Sequence, residues 1–580
     1  MRFPQHAHSS PQQALESGLV TGRTLRNVVL TETCETKQLC VERNFLQIQK
    51  SRNDMYDLLL KNGFVIDGSG RTGYKADVAI ENGKIAAVEF SIDPGLAAET
   101  VDVTGLAVAP GFIDIHSHSD VAFADDDRSE AKLYQGVTSE LVGNCGASPF
   151  PVLPEKLEIM AGEAWTRKGS RVAVSLEAFL NEIDRRGEKM GTNLLPLVGH
   201  GTLRGGVIGY ENRKLSEEEF RRMRQMLAAD MKTGAWGLSL GLGYTPGVSA
   251  DSEELCRIAE EVVPYGGIVT SHMRNQREKT PDSLEEMFAI NRHCGAHVHI
   301  AHFKASTEIC RGKAPEWISI LHRAQAEGVN VTADVYPYTA ASSDITNSFP
   351  KWSLMGGKKR ALEALNGAER QRLIRDLEEA FPTMEAAKHL LIVHTCGTHP
   401  EADGKTLEEI SRLWNKGCVE TLMQLTADTK ANAECIDFCM AEEDVDYMLS
   451  QNDLCIGSDG VCYPFAPEKN AGIPHPRNFG TFPRFLRLAR EKKFCSPEMA
   501  VRRITGQSAD YIGLKDRGYL RKGYAADVTV FDRDKVTDRA TYTDPFRKPE
   551  GIVHVIMDGK LALRDGVQTA ERLGKVLLKK

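Results

Sequence analysis

The sequence predicts an α/β protein whose main body is a TIM-type (β/α)8 barrel. Eight short apolar runs, at 108–115, 139–143, 194–198, 235–240, 268–271, 298–301, 329–334 and 454–458, alternate with amphipathic stretches. Several of these runs are nearly all apolar, as parallel strands covered on both faces by helices should be. The reactive side chains of the chain gather at the C-terminal ends of the runs, the edge on which such a barrel builds its active site.

Residues 1–54 show no sustained periodicity and read as a poorly ordered extension. From Met55 onward, short apolar strands are broken by Asn62-Gly63 and Asn82-Gly83, dipeptides that suit the positive φ angles of tight hairpin turns. Residues 526–563 have the same texture around Asp558-Gly559. Neither end is long enough to bury a core alone, so the two are expected to pair into one small sheet domain, residues 55–107 with 515–570.

The barrel then occupies 108–514. Ser216 with Glu219, and Ser283 with Glu286, have the spacing of capping boxes that open helices, and Ser496-Pro497 opens another. Residues 341–450 break the strand–helix repeat and carry helical stretches of their own, such as 368–380, so they are expected to form an insertion near the barrel mouth.

Composition narrows the function. Hydrophobic residues at 41%, charged residues at 26% and a net charge of −8 are globular values without a basic field for nucleic acid. The basic cluster at 221–224 falls on the solvent side of a capped helix. No run of about 18 apolar residues occurs, and residues 1–30 lack the basic-then-apolar pattern of a secretion signal. Thirteen cysteines without a CxxC pair suggest reduced thiols in the cytoplasm. The expected partner is a small molecule, with no nucleic acid and no membrane; oligomeric state is not legible.

The chemistry sits at strand ends. His116-Ser117-His118 stops the first strand, and residues two apart in extended chain point to one side. Such a pair also fits ordinary surface or core histidines. Strand two ends in Gly143-Asn144-Cys145-Gly146, strand five at His272, strand six at His302 and strand eight at Asp459. Six metal-competent side chains at equivalent positions favour a metal centre over packing. Thiolate with imidazoles is a borderline-soft donor set that selects Zn2+ over magnesium or calcium. Zinc polarises a carbonyl and makes hydroxide available near neutral pH, and Asp459 is the candidate proton carrier for hydrolysis.

Beyond that, the chain resembles the D-aminoacylase (N-acyl-D-amino-acid deacylase) family of the metal-dependent amidohydrolase superfamily. The likeness runs in family order through GFIDIHSHSD at 111–120, VGNCGASPFPV at 142–152, GHGTLR at 199–204, GLSLGLGYTPG at 237–247, SHMRN at 271–275, AHFKA at 301–305, DVYPYTA at 334–340, SDG at 458–460 and HPRNFGTFPR at 475–484. The His-x-His element is common to many amidohydrolases, whereas the Asn-Cys-Gly and HPR-x-x-GTFPR segments are narrow markers.

The resemblance implies a barrel with a small β-sandwich made from both chain ends. It implies one tightly held zinc on Cys145, His272 and His302, a weaker second site on His116, His118 and Asp459, and Asp459 as general base and acid. It further implies that Tyr244, Lys304 and Arg477 hold the substrate carboxylate, that the substrate amino acid is of the D series, and that Lys304 is an unmodified lysine. His200 in Gly-His-Gly is left between a pocket-lining and a structural role. Two other functions stand beside this one: a cyclic-amide hydrolase of the hydantoinase or dihydroorotase kind, and a catalytically inactive scaffold of the same fold.

Overall fold

The computed structural model describes residues 55–121, 128–161, 172–187, 189–470 and 472–580. The extension expected over residues 1–54 lies outside the described residues.

Both chain ends enter one nine-stranded sheet. Its joint is the antiparallel pairing of Ala107–Pro110 with Val528–Phe531, while Ala107–Pro110 also lies parallel to the end of Tyr56–Val65. Leu58, Leu60, Val78 and Ile80 from one end bury against Val528, Val530 and Ile556 from the other. That shared apolar face is the reason neither end stands alone. Asn82 and Gly83, at φ 52° and 71°, make the expected hairpin turn. Asn62-Gly63 does not. Asn62 has φ 65°, but the strand Tyr56–Val65 continues through it with a register shift, so the pair forms a bulge.

The first predicted run, 108–115, is two strands. Ala107–Pro110 belongs to the terminal sheet, and Phe112–Asp114 starts the parallel array. The break is at Gly111, where a Cβ would sit 2.2 Å from Thr138 Oγ1.

The parallel strands then follow in chain order. Phe112–Asp114, Val137–Val142 and Asn193–Pro196 form one sheet. Val198–Gly199, Gly237–Gly241, Ile268–His272, His297–Ile300, Val331–Val335 and Cys455–Ile456 form another. A parallel bridge between Ser117 and Gly460 brings the last strand beside the first. Buried residues dominate every one of these strands, and helices such as Glu217–Thr233, Thr280–Cys294 and Ala314–Ala326 pack outside them.

Ser216 and Glu219 form the expected reciprocal capping box, and Ser496 caps the helix that Pro497 opens. The box expected at Ser283 and Glu286 is absent. Pro281 starts that helix earlier, Ser283 Oγ accepts from Asn275 N at 3.0 Å, and Glu286 pairs with Arg274.

Within the segment expected as an insertion, Ala341–Asp344, Leu390–His394, Lys405–Thr406 and Glu434–Asp437 form a four-stranded antiparallel sheet with its own core of Ile345, Leu373, Ile392, Ile410 and Leu422. The helix Glu442–Leu449 instead packs on Ala314–Ala326. Among the described residues, no helix is long and apolar enough to cross a membrane.

Candidate metal centre at the strand ends

Backbone conformation places the candidate ligands. Cys145, His302 and Asp459 each leave their strand with positive φ, at 54°, 37° and 51°. A left-handed residue turns the chain sharply, so the side chain at the turn faces across the strand ends. The Cys145 turn is fixed from both sides. Asn144 Nδ2 donates to Leu141 O at 2.9 Å, and its Oδ1 accepts from Thr270 Oγ1 at 3.0 Å. Gly146 has φ 76°, and a Cβ there would lie 2.6 Å from Gly241 N, so close approach of the backbones requires glycine.

The six predicted side chains come together in two overlapping groups that share Cys145. Ligand atoms of His116, His118, Cys145 and Asp459 lie within 4.8 Å of one another, as do those of Cys145, His272 and His302. Cys145 Sγ is 3.4 Å from His116 Nε2, 3.3 Å from His302 Nε2 and 3.8 Å from His272 Nδ1. Asp459 Oδ1 is 3.1 Å from His118 Nε2 and 3.5 Å from His116 Nε2.

Electrostatics suit a cation held by anionic donors. Burial pushes the Cys145 thiol up, but His302 and His116 outweigh it and hold the thiol well below its usual range. Burial also raises the Asp459 carboxyl, yet Arg477 above all, then His302 and His118, keep it well below the ordinary carboxylate value. Burial, aided by Lys304, pulls His302 down to about 4.

The three residues expected to hold the carboxylate have distinct neighbours. Arg477 Nη1 donates to Asp459 Oδ2 at 2.7 Å, and its guanidinium lies 5.5 Å from the centroid of the Tyr336 ring. Lys304 Nζ is 5.3 Å from the same centroid. Tyr244 packs on a metal-ligand candidate, its ring centroid 4.4 Å from that of His272, and lies within electrostatic reach of Arg477. Tyr336, inside the quoted DVYPYTA run but unassigned from sequence, carries a buried hydroxyl without a hydrogen-bond partner. His200 joins neither group of candidate ligands; its Nε2 is 2.9 Å from Glu254 Oε1, a carboxylate shared with Arg204.

Behind the histidines lies a charged network that sequence reasoning missed. Lys132 Nζ donates to Asp114 Oδ2 at 2.6 Å and Ser458 Oγ at 2.9 Å, and sits 3.4 Å from Glu140 Oε2. Ser117 and Ser119 hydroxyls both donate to Glu140 Oε2 at 2.6 Å. All three charged residues are fully buried. Asp334 Oδ1 accepts from His302 N at 3.0 Å, while its Oδ2 faces His116 Nδ1 at 3.3 Å.

Comparison with known proteins gives a consistent set of likenesses. The sequence pattern of the amidohydrolase family matches residues 99–347 and 356–562. A D-aminoacylase of Alcaligenes xylosoxydans xylosoxydans is 32% identical over 91% of this chain and 99% of its own length. The crystal structure of an N-acyl-D-glutamate deacylase from Bordetella bronchiseptica, complexed with zinc and a phosphonate mimic of the tetrahedral intermediate, superposes with a TM-score of 0.76. It is 30% identical, covering 91% of this chain and 100% of that one. A D-aminoacylase structure concerned with a binuclear metal centre, with one-metal activation and second-metal attenuation, superposes at 0.75 with 31% identity over 90% of this chain and all of its own.

Proposed function

The chain belongs to the amidohydrolase family, and from that membership we propose that it is a zinc-dependent hydrolase of the amide bond in N-acyl-D-amino acids. The products are a carboxylate and a free D-amino acid. The observation that carries this reading is the meeting of one cysteine and five other metal-competent donors at the strand ends, with Arg477 and Lys304 beside them.

The donor set fits zinc. Cys145, His272 and His302 would hold one ion, and His116, His118 and Asp459 a second, weaker one; thiolate and neutral imidazole are its preferred ligands. When bound, zinc supplies carbonyl polarisation and a nucleophilic hydroxide near neutral pH. Asp459 then works as proton carrier: its Oδ1 faces the histidine side, placed to take the proton of the attacking water and return it to the leaving nitrogen. Arg477 keeps that carboxylate charged in the resting site.

Lys304 and Arg477 give the substrate carboxylate two cations, both beside the ring of Tyr336, whose buried hydroxyl has no hydrogen-bond partner. Tyr244, against His272 and within electrostatic reach of Arg477, adds a donor between the metal ligands and this anchor.

For the fold, we read the nine parallel segments as the eight strands of one closed (β/α)8 barrel, with Asn193–Pro196 and Val198–Gly199 as one strand broken at Leu197, supported by the Ser117–Gly460 bridge, and the terminal sheet as a β-sandwich of residues 55–107 and 515–570. The insertion is proposed to end before Glu442–Leu449, short of the 450 expected from sequence, because that helix packs on the barrel helix Ala314–Ala326. Eleven free cysteines among the described residues support a reducing, cytoplasmic setting.

A cyclic-amide hydrolase or an inactive scaffold is not favoured, given deacylase likeness over nine-tenths of the chain and a full donor set. The test is a panel of N-acetyl-D- and N-acetyl-L-amino acids assayed for free amine on protein of measured zinc content. Release from the D series is expected; zinc-loaded protein inert on the panel but active on cyclic amides such as hydantoins would overturn it.

A further inference from the structure

A chain of hydrogen bonds runs from the candidate metal site into the interior of the strand array. Asp334 Oδ2 faces both His116 Nδ1, at 3.3 Å, and His299 Nε2, at 3.0 Å. His299 Nδ1 is 2.8 Å from Thr332 Oγ1, and the same hydroxyl is 2.8 Å from His297 Nε2. His299 and Thr332 are register partners on adjacent parallel strands, and His116, Asp334 and His299 are buried.

The donors and acceptors along this chain are constrained. A carboxylate only accepts, so His116 and His299 must each bring an N–H to Asp334. A neutral His116 with its proton on Nδ1 presents the Nε2 lone pair toward Cys145 Sγ and Asp459 Oδ1, at 3.4 Å and 3.5 Å. The carboxylate that imposes this is itself held at two points. Oδ1 is occupied by His302 N at 3.0 Å, and Oδ2 is steered by His299, which makes the shorter of the two imidazole contacts. Thr332 in turn fixes the His299 ring.

We propose that His299, acting through Asp334, is a positioning residue that sets the tautomer and ring orientation of His116 and thereby tunes the second metal position selectively. Its described side-chain hydrogen bonds run to Asp334 Oδ2 and Thr332 Oγ1, and Asp334 meets the first position only through the backbone N–H of His302, on its other oxygen. This rests on the two-position metal reading given above. A group hydrogen-bonded directly to a metal ligand, here Asp334, is worth about 10–100-fold in metal affinity, and His299, one hydrogen bond further out, is expected at the low end of that range.

The test strips the full-length protein with chelator and titrates it with Zn2+ by calorimetry, then with Cd2+ while following the cadmium–thiolate absorbance as a difference from Cys145→Ala protein, so that the signal reports Cys145 among the thirteen cysteines. Wild-type protein should take two ions in separable steps. His299→Leu should leave the first step and its thiolate signal at wild-type affinity and weaken the second by about 10-fold or more. His299→Gln, which returns an N–H at the Nε2 position, should recover most of that loss.

An unchanged second step in His299→Leu overturns the proposal, as do equal losses in both steps or a His299→Gln protein as weak as His299→Leu. Should His299→Leu fail to fold, Thr332→Val carries the test: it removes the hydroxyl that fixes the ring and should weaken the same step by a smaller factor, and a wild-type second step there is equally fatal. Wild-type protein that binds no ion refutes the metal reading itself, whereas one that binds a single ion and never a second refutes this inference.

Discussion

Arg477 Nη1 lies 2.7 Å from Asp459 Oδ2, leaving Asp459 Oδ1 turned toward His118 and His116. Two oxygens of one carboxylate thus serve a cation on one side and the proposed metal ligands on the other. Asp459→Asn keeps the shape and removes the basic oxygen. We expect kcat to fall by about 10²–10⁴-fold, the usual contribution of a positioned proton carrier, with zinc retained on the Cys145 group. Steady-state kinetics with metal analysis on the same preparation checks both halves.

Arg477→Met probes the same pair from the other side. Burial raises the Asp459 carboxyl and Arg477 is the largest influence holding it down. The carboxylate is charged, and able to accept a proton, only above its pKa. Removing the guanidinium raises that pKa, so the acid limb of the kcat/KM profile should move to higher pH. A profile with its acid limb unmoved would show that another group titrates there.

Cys145→Ala removes the atom common to both donor groups. Zinc content should drop from about one or two ions per chain to near none, with turnover lost in parallel. Cys145→Ser separates position from softness: an oxygen at the same place restores less zinc than the thiolate. Full metal content in either variant would displace Cys145 from the centre of the site.

The convergence of these donors was legible in the sequence because strands of a parallel array end on a common edge, so His116, Cys145, His272, His302 and Asp459 needed only their strand assignments to be brought into one neighbourhood. What supports them was not. Asp114, Lys132 and Glu140 are charges of a kind that sequence reading assigns to surfaces, and only the folded chain shows them paired and buried. His297 and His299 repeat the His-x-His spacing of 116 and 118, yet they lie within a strand and its interior hydrogen bonds. The same limit explains the two Asn-Gly pairs. Asn82-Gly83 joins neighbouring strands and turns, whereas Asn62-Gly63 has partners on both sides and bulges; the dipeptide permits positive φ without deciding how it is used.

Lys304→Met tests the carboxylate anchor. A charge-assisted hydrogen bond is worth about 1.5–3 kcal/mol, so KM for an N-acyl-D-amino acid should rise by about 10–100-fold with a smaller change in kcat. The corresponding N-acyl amine, which lacks the carboxylate, should be a poor substrate for both proteins and should not distinguish them. Equal losses on the acid and the amine would place Lys304 outside the anchor.

Lys132→Met addresses stability. Lys132 has no exposed side-chain surface and stands between Asp114 and Glu140, whose other contacts run to Ser458, Ser117, Ser119 and Thr192. Burial pulls the ammonium down, but Asp114 and Glu140 outweigh it and hold it above its usual value, so the charge is kept. Methionine fills much of the same volume while leaving two buried carboxylates without their cation, a loss of about 3–5 kcal/mol for breaking such a group from one side. Urea unfolding should show the midpoint falling with little change in slope. The strand Phe112–Asp114 and the turn at Ser458 are the two elements this ammonium ties together, and they flank His116 and Asp459. Zinc affinity should therefore fall alongside stability; a variant as stable as wild type would mean that the carboxylates find protons or other partners when the lysine is gone.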